Sequence, residues 1–483
     1  MTSFISKRNH LSLGRDMFSR VKTASFPNAI IRYQNTAWAR YLGLDDALDD
    51  DGLWCDRFAR FKPLGRSLKA PLALAYHGHQ FGVYNPEIGD GRGVLYAQCE
   101  DPRDGRLLDF GTKGSGQTPF SRTADGRLTL KGAVREIMAT EMLDALGVNT
   151  SKTFSVIETG EALTRHDEPS PTRSAVLVRL SHSHIRIGSF QRLAYQQKPE
   201  MIERLLCYVA ETYYEGELDA QAPLGELAPQ FVSVLGARMA KLAASWMAAG
   251  FVHGVLNTDN FNITGESFDY GPWRFLPEMT PNFTAAYFDH QGRYAYGRQP
   301  EATFWALCRL ADCLVDLTSL EVMQEAVMSF QQRAGLEMTS ALCRRLGIDA
   351  GWDDMQAMME ALIRAIRGAD IGYEAVLFDW FGGQAATSRA LSGPRAGFYK
   401  EAGFADALDL LMNAPTAEAA KTDHAYFMSD APETMLIDEV EAIWAPIAAE
   451  DDWSLLADKV KAIHQMSEAY GDRSLAPEAR VGR

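Results

Sequence analysis

The apolar positions in the first half of the chain fall in short runs, and turn residues separate these runs. Runs of roughly four to eight apolar residues are typical of β-strands. The predicted strands are residues 94–99, 107–113, 153–158 and 174–180. A turn at 101–106 joins the first two into a hairpin with Lys113 at its far end. We therefore expect a small, mainly antiparallel sheet.

One helix is predicted beside this sheet. Apolar side chains share one face of residues 130–146, and Gly147 follows as a typical helix end. Glu136 lies inside this helix.

From about Gln230 the apolar residues recur at helical spacing instead. One long helix is predicted to end near Gly250, and the run 261–263 that follows is a candidate strand. Further helices are predicted at 301–317, 320–346 and 353–367. The change of spacing between the two halves favours a fold of two lobes.

Composition places the chain among ordinary globular proteins. It has 483 residues, of which 46% are hydrophobic and 10% aromatic, enough to bury a sizeable core. A net charge of -15 disfavours nonspecific binding to nucleic acid or anionic lipid. Any phosphate-binding site must therefore be locally basic.

The six cysteines are scattered and include no Cys-x-x-Cys pair, which indicates free thiols in a reducing compartment. The first residues lack the apolar core of a signal peptide, and charges interrupt the longest apolar helix. We expect a cytoplasmic monomer without nucleic-acid or membrane partners.

The segment that carries most chemical information is His253-Gly-Val-Leu-Asn-Thr-Asp-Asn260, followed nine residues later by Asp269-Tyr-Gly. Kinase-type enzymes use a His-x-Asp triplet for the catalytic Asp, a later Asn for one metal and an Asp-Phe-Gly Asp for another. Here Val255 stands where the triplet carboxylate is expected, and Asp259 precedes Asn260 instead. Either the protein is inactive or its chemistry differs from that of a kinase.

Asp259, Asn260 and Asp269 offer the hard oxygen ligands that Mg²⁺ or Mn²⁺ prefers. The alternative is that both segments are ordinary polar turns after a helix.

A glycine-rich turn, a hairpin, a strand lysine and a helix glutamate occur in the order in which a kinase small lobe binds nucleotide. They are Gly89-Asp-Gly-Arg-Gly93, Lys113 and Glu136. Glycines let backbone amides approach phosphate oxygens, and a lysine fixed by a glutamate supplies positive charge. Taken singly, the first is more often a turn and the second a surface ion pair.

Two arginines, Arg179 and Arg186, lie close together in sequence, and guanidinium groups suit phosphate oxygens. A strand salt bridge is the simpler fate for Arg179 alone. His77-Gly-His79 and His182-Ser-His184 lack a further ligand, so we interpret them as hydrogen-bonded structural histidines.

Taken together, the ordered motifs resemble the selenoprotein O family, whose members are protein adenylyltransferases with a pseudokinase fold. The resemblance covers roughly residues 75–310. Its motifs are Tyr76-His-Gly-His-Gln-Phe-Gly82, Gly89-Asp-Gly-Arg92, Gly111-Thr-Lys-Gly-Ser-Gly-Gln-Thr-Pro-Phe-Ser-Arg122, Asp125-Gly126, Arg135-Glu136, Ser181-His-Ser-His-Ile-Arg-Ile-Gly-Ser-Phe190, His253-Gly-Val-Leu-Asn-Thr-Asp-Asn260 and Asp269-Tyr-Gly-Pro272.

The resemblance implies an α+β, protein-kinase-like two-lobed fold. The corresponding regions are an N-terminal extension at 1–75, a β-rich lobe at 76–228 and a helical lobe with a C-terminal extension at 229–483. It also implies that ATP binds in a flipped orientation, so that AMP is transferred to a Ser, Thr or Tyr hydroxyl of a target protein.

By the same resemblance, Asp259 is the general base and Asn260 and Asp269 are the ligands of Mg²⁺ or Mn²⁺. Glu136 is the partner of Lys113. The expected nucleotide contacts are Gly89, Gly91, Arg92, Lys113, Asp125, Gly126, Arg179, Arg186 and Asp269. One family feature is missing: members often end with a Cys or selenocysteine, whereas no cysteine follows Cys343.

Three other functions remain open. They are uridylyl transfer with Mn²⁺, γ-phosphoryl transfer with Asp259 as the base, and an inactive nucleotide-binding scaffold, which the aliphatic Val255 favours.

Overall fold

The computed structural model describes residues 4–166, 168–471, 475 and 477–482. This part of the chain is a mixed α/β structure in which a large antiparallel sheet adjoins a helical region. Small parts of the predicted regions 1–75, 76–228 and 229–483 lie outside the described residues. The boundaries of those regions stay predictions.

The strands are β1 (Ser6–Lys7), β2 (Phe18–Arg20), β3 (Ile30–Asn35), β4 (Leu72–Leu74), β5 (Gly78–Gln80), β6 (Val83–Asn85), β7 (Leu95–Glu100), β8 (Leu107–Lys113), β9 (Leu128–Thr129), β10 (Lys152–Leu163), β11 (Thr172–Ser181), β12 (Phe251–Val252), β13 (Arg274–Phe275) and β14 (Ala479–Val481). The helices are α1 (Thr36–Tyr41), α2 (Asp51–Phe58), α3 (Leu130–Ala145), α4 (Ile187–Tyr195), α5 (Pro199–Tyr213), α6 (Leu224–Ala248), α7 (Gln299–Ala311), α8 (Leu320–Leu346), α9 (Met355–Ile366), α10 (Tyr373–Asp379), α11 (Thr387–Ser392), α12 (Ala396–Tyr399), α13 (Ala405–Asn413), α14 (Ile437–Glu450) and α15 (Ser454–Tyr470).

The main sheet has the strand order β14-β3-β10-β11-β8-β7-β4-β2, with β1 beside β7 and β9 beside β11. The predicted hairpin is confirmed as β7 and β8, and the other two predicted strands are parts of β10 and β11. The sheet is larger than expected because short strands from both chain ends extend it. For example, β14 pairs with β3, although more than 400 residues separate them.

The helix predicted at 130–146 is confirmed as α3, and those at 320–346 and 353–367 correspond to α8 and α9. Two predictions are wrong in part. The helix expected at 301–317 ends at Ala311, where a turn and a short 3-10 segment follow. The run 261–263 is no strand, since only Asn262 forms an isolated bridge, to Arg186.

The core has an apolar layer on each side of the sheet. On one face, α3 packs between the sheet and α15, with Val134, Ile137 and Met138 fully buried. On the other face, α1 covers the sheet through Trp38, and α2 covers it through Trp54 and Phe58. The long helix α6 leads directly into β12, which pairs with β13 in a separate two-stranded sheet. The loop that carries Asp259 and Asn260 follows β12.

None of the helices in the described part of the chain is both long enough and apolar enough to cross a bilayer.

Candidate active site

The strand lysine and the helix glutamate meet below the sheet. Lys113 Nζ lies 2.6 Å from Glu136 Oε2, and both side chains are almost completely buried. Lys113 ends β8, while Glu136 lies on the face of α3 that packs against the sheet. A buried pair of this kind holds the ammonium group in a single position.

Asp269 lies beside this pair and contacts three cationic side chains. Its carboxylate lies 3.0 Å from Lys113 Nζ, 3.3 Å from Arg179 Nη1 and 3.4 Å from Arg186 Nη1. Burial alone raises the pKa of Asp269, but the three cations hold it well below its usual range. The residue adopts a left-handed backbone conformation with φ of 66°, which Asp tolerates better than most residues.

The register of the sheet explains how Lys113 and Arg179 come together. Leu177 pairs with Lys113 and Arg179 pairs with Gly111, so the two cations lie on one face as diagonal neighbours. A side chain at Gly111 would put its Cβ 2.0 Å from His184 Nε2. Arg179 Nε donates to this nitrogen at 3.2 Å, so the glycine makes room for the imidazole that orients the arginine.

The second histidine pair is held through its backbone, and only the His184 imidazole, through Nε2, has the predicted side-chain hydrogen bond among the described residues. The backbone N–H of His184 donates to Asp109 Oδ2 at 3.0 Å, and that of His182 donates to Glu266 Oε2 at 2.9 Å. Burial lowers the pKa of both imidazoles.

His253 and Phe268 position the segment that carries Asp269. His253 is fully buried, and its Nε2 lies 3.1 Å from the Phe268 carbonyl oxygen. The guanidinium groups of Arg179 and Arg186 lie 5.1 and 4.7 Å from the centre of the Phe268 ring. The residue before Asp269 is thus held by a hydrogen bond and by cation–π contacts.

Asp259 occupies a different environment on the neighbouring loop. Its Oδ1 atom is buried and has no hydrogen-bond partner among the described residues. Burial raises the pKa of Asp259 to about 6, although Arg186 opposes the shift. The Arg186 guanidinium donates at 2.7 Å to the backbone carbonyl of Asp259 and not to its carboxylate.

The loop that carries Asp259 is held by side chains that the sequence prediction missed. Asn257 Oδ1 accepts from the Phe81 N–H and from the Tyr294 hydroxyl, each at 3.0 Å. Thr258 Oγ1 accepts from the His79 N–H at 2.7 Å and donates to Gln191 Oε1 at 2.6 Å.

The structural interpretation of His79 agrees with its side-chain contact, because its Nδ1 lies 2.8 Å from Gln191 Nε2. The only sequence signal for these contacts was the motif at 76–82, which forms β5 and the turn after it.

The residues predicted to hold a metal fit that role chemically. The amide nitrogen of Asn260 donates to the Val255 carbonyl at 2.9 Å, which leaves its oxygen for another ligand. Asp259 contributes a buried oxygen without a partner among the described residues, and Asp269 contributes a carboxylate. The described residues contain no group of three His, Cys, Asp or Glu side chains suited to a metal. The fit therefore rests on a mixed set of amide and carboxylate oxygens, which suits Mg²⁺ or Mn²⁺.

The glycine-rich turn lies next to this cluster and packs tightly on residues 118–121. A Cβ at Gly89 would lie 2.5 Å from the Phe120 ring, and one at Gly91 would lie 3.0 Å from the Phe120 carbonyl oxygen. These glycines thus have a packing role of their own. Arg92 is exposed and close enough to Asp269 to help lower its pKa.

Asp125 and Gly126 lie on a separate turn. The Asp125 carboxylate accepts from Arg165 at 2.8 Å and from the Arg127 N–H at 2.9 Å, and Gly126 packs on Gly116. None of the described contacts of these two residues reaches the cluster around Asp269.

Comparison with known proteins agrees with these motifs. A family model described as "Protein adenylyltransferase SelO" matches residues 3–464. The chain is 39% identical to "Protein nucleotidyltransferase YdiU" of Synechococcus elongatus, over 97% of this chain and 96% of that protein. It is 41% identical to the protein of the same name from Trichormus variabilis, over 94% of each chain. With that of Pseudomonas putida it is 37% identical, over 75% of this chain and 72% of the relative.

Proposed function

The chain belongs to the SelO family of protein nucleotidyltransferases, and on that premise we propose that it transfers AMP from ATP to Ser, Thr or Tyr hydroxyls of target proteins. The bond between the α-phosphorus and the bridging oxygen breaks, and pyrophosphate leaves. A new bond forms between the target oxygen and the α-phosphorus, and the hydroxyl proton passes to a base.

Asp259 is the proposed base, and its environment is the single observation that carries the proposal. A carboxylate with a pKa of about 6 is ionised at neutral pH and is still basic enough to accept a proton from a hydroxyl. Its Oδ1 has no partner among the described residues, so the proton would meet no competing donor there. The aliphatic Val255 leaves no carboxylate at the position that a kinase would use.

Lys113, Arg179 and Arg186 are the proposed phosphate contacts. They converge on Asp269 within 3.0 to 3.4 Å, so they are already fixed before any nucleotide arrives. Fixed cations stabilise charge that develops on the phosphates without reorganising during the reaction. A triphosphate would compete with Asp269 for these cations, which would free the Asp269 carboxylate for a metal.

Asn260 and Asp269 would hold Mg²⁺ or Mn²⁺, which when bound offsets charge on the α-phosphate and the leaving pyrophosphate. Gly89, Gly91, Arg92, Asp125 and Gly126 are further proposed nucleotide contacts. Of these, the exposed Arg92 is the residue that helps to lower the pKa of Asp269. The pairing of a strand lysine with a helix glutamate supports a kinase-like, two-lobed arrangement as part of the proposal.

The test compares ATP labelled at the α-phosphate with ATP labelled at the γ-phosphate, each incubated with the protein and candidate targets. We expect label from the α position only, in a bond that survives denaturation, with Asp259→Asn as the inactive control. Label from the γ position only would mean a kinase instead. No label despite nucleotide binding would mean an inactive scaffold.

The relatives are named nucleotidyltransferases, a name that fits transfer of either AMP or UMP. A third reaction with α-labelled UTP and Mn²⁺ therefore belongs in the same experiment. Transfer from UTP but not from ATP would replace adenylylation with uridylylation.

A further inference from the structure

A cavity of about 560 Å³ opens where the sheet, α3 and α6 meet. Its walls are the loop 147–150 after α3, the end of β11, one side of α6 and the turn 264–266. None of its lining residues belongs to the cluster around Asp269. A cavity of this size can hold a nucleotide-sized molecule.

The cavity is strongly basic, although the whole chain carries a net charge of -15. Its cationic side chains outnumber its carboxylates by six to two. The cations are Arg103, Arg106, Lys152, Arg238, Lys241 and Arg344, and the carboxylates are Asp144 and Glu266. Such a local excess of positive charge favours an anionic ligand.

Four of the six cations already have carboxylate partners. Lys152 lies 2.6 Å from Asp144. The others pair outside the cavity wall: Arg103 and Arg106 with Asp101, and Arg238 with Glu217.

Lys241 and Arg344 differ from these four. No carboxylate of the described residues lies within salt-bridge distance of either, and both side chains are exposed. These two groups are therefore available to a ligand.

A buried polar atom in the wall gives a second, independent sign of a binding site. Ser181 is 2% exposed, and its hydroxyl has no hydrogen-bond partner among the described residues. The neighbouring His182 Nε2 is buried and also lacks a partner there. Buried polar groups are normally satisfied, so a polar ligand in the cavity would supply the partner that these atoms lack.

We propose that this cavity binds a phosphorylated small molecule of nucleotide size, with Arg344 and Lys241 on its phosphate groups and Ser181 as a buried hydrogen-bonding group. An arginine fork and a lysine ammonium are the side chains that best match phosphate oxygens. This cavity is separate from the residues that are proposed to bind the transferred nucleotide.

The cavity wall is connected to the candidate active site through Ser267. The Ser267 N–H donates to the Asn149 carbonyl at 2.8 Å, and its carbonyl accepts from the Ser151 N–H at 2.9 Å. Its hydroxyl accepts from Trp246 Nε1 at 2.9 Å and from the Tyr270 hydroxyl at 2.8 Å. The cavity wall and the segment that leads to Asp269 are therefore joined by hydrogen bonds.

Calorimetric titration tests the proposal, with ADP and inorganic pyrophosphate as probes in magnesium buffer and the Asp259→Asn protein as the parent. The cavity variant carries Lys241→Ala and Arg344→Ala. The matched control carries Arg333→Ala, on the same helix as Arg344, and Lys400→Ala, so both variants lose the same charge.

We expect two ADP-binding events in the parent and the control, one of them weakened at least 10-fold in the cavity variant. Lys113→Ala should weaken only the other event. If pyrophosphate also binds at the cavity, phosphate groups alone suffice for binding. If ADP binds there and pyrophosphate does not, the nucleoside contributes to binding.

A single event in the parent, or two events unchanged in the cavity variant, would overturn the proposal. A third titration uses a short oligoribonucleotide. If the cavity variant lost binding to it while its binding of ADP and pyrophosphate stayed unchanged, a small-molecule site would equally be rejected. Because this readout needs no group transfer, it stays valid if the labelled-nucleotide test fails.

Discussion

Asp259 and Asp269 lie ten residues apart in one loop region, and their surroundings differ in almost every respect. Asp269 has three cations within 3.4 Å, which hold its pKa well below the usual range. Asp259 is half-buried, its buried Oδ1 has no hydrogen-bond partner among the described residues, and its pKa rises to about 6. The cation shared by the two segments, Arg186, faces the backbone of one and the carboxylate of the other.

The difference shows how one type of side chain, the aspartate carboxylate, suits two different roles in the same site. A carboxylate that stays ionised at all relevant pH values suits the binding of cations and metals, whereas one with a raised pKa suits proton transfer. Environments that push the pKa values of neighbouring acids apart are typical of active sites. The comparison therefore supports the proposed roles, with Asp259 accepting the proton and Asp269 supplying the fixed charge.

Asp259→Asn should have the largest effect. The amide keeps the size of the side chain but accepts no proton at neutral pH, so we expect nucleotide transfer to fall about 10²- to 10⁴-fold. Transfer of α-label measures the rate, and calorimetry with a non-hydrolysable ATP analogue measures binding. Binding should change by less than about threefold, because the phosphate cations are untouched.

A matched control for this prediction is Asp312→Asn, an exposed carboxylate after α7 that pairs only with Arg309 among the described residues. It should keep full activity. A transfer rate in Asp259→Asn above a tenth of the parent rate would remove Asp259 from the role of base.

Asp269→Asn should affect stability more than any other change at the site. It leaves Lys113, Arg179 and Arg186 close together without their shared anion, which costs about 3 kcal/mol of unfolding free energy. Because the folded-state pKa of Asp269 is depressed, its contribution is present at neutral pH and declines as the pH falls below about 4.

Thermal unfolding of metal-free protein measures this difference between pH 7 and pH 3. An Asp269→Asn protein as stable as the parent at pH 7 would show that the three cations do not depend on this carboxylate.

The parts of this site that the sequence predicted are those encoded by local patterns. Short apolar runs predicted β7 and β8, helical spacing predicted α3, and the order of these elements brought Lys113 to Glu136. The pairing of β8 with β11 then placed Arg179 beside them, which follows from register and not from composition.

The parts that were missed depend on contacts between distant segments. Thr258 and His79 are hydrogen-bonded across 179 residues, and no local periodicity marks such a pair. Edge strands of two or three residues, such as β14, are too short to show an alternating pattern. The end of α7 was misplaced because the apolar residues after Ala311 continue in a turn.

Asp259→Asn should also raise stability, opposite in sign to Asp269→Asn. The folded-state pKa of Asp259, about 6, exceeds the unfolded value of about 4, so ionisation above pH 6 costs the folded parent about 1–3 kcal/mol. The amide has no such cost. The variant should therefore unfold at a higher temperature than the parent at pH 8, in buffer with a chelator.

This gain should disappear at pH 4, where the parent carboxyl is protonated in the folded state and increasingly in the unfolded state. A variant less stable than the parent at pH 8 would mean that Asp259 has a stabilising partner when ionised, which would erase the contrast with Asp269.

Gly271→Ala should have the smallest effect and tests whether the Asp269 segment is rigid. A Cβ at Gly271 would meet no atom within 4 Å, and the residue does not have the positive φ that disfavours alanine. We expect unfolding free energy within about 0.5 kcal/mol of the parent and transfer within about twofold, measured by thermal unfolding and α-label incorporation.

The contrasting variant is Gly111→Ala, whose Cβ would displace His184 and should reduce transfer. If Gly271→Ala abolished transfer while folding normally, the segment after Asp269 would have to change conformation during catalysis. Asp269 would then move during the reaction and could not serve as a fixed charge, and only the proposed role of Asp259 would remain.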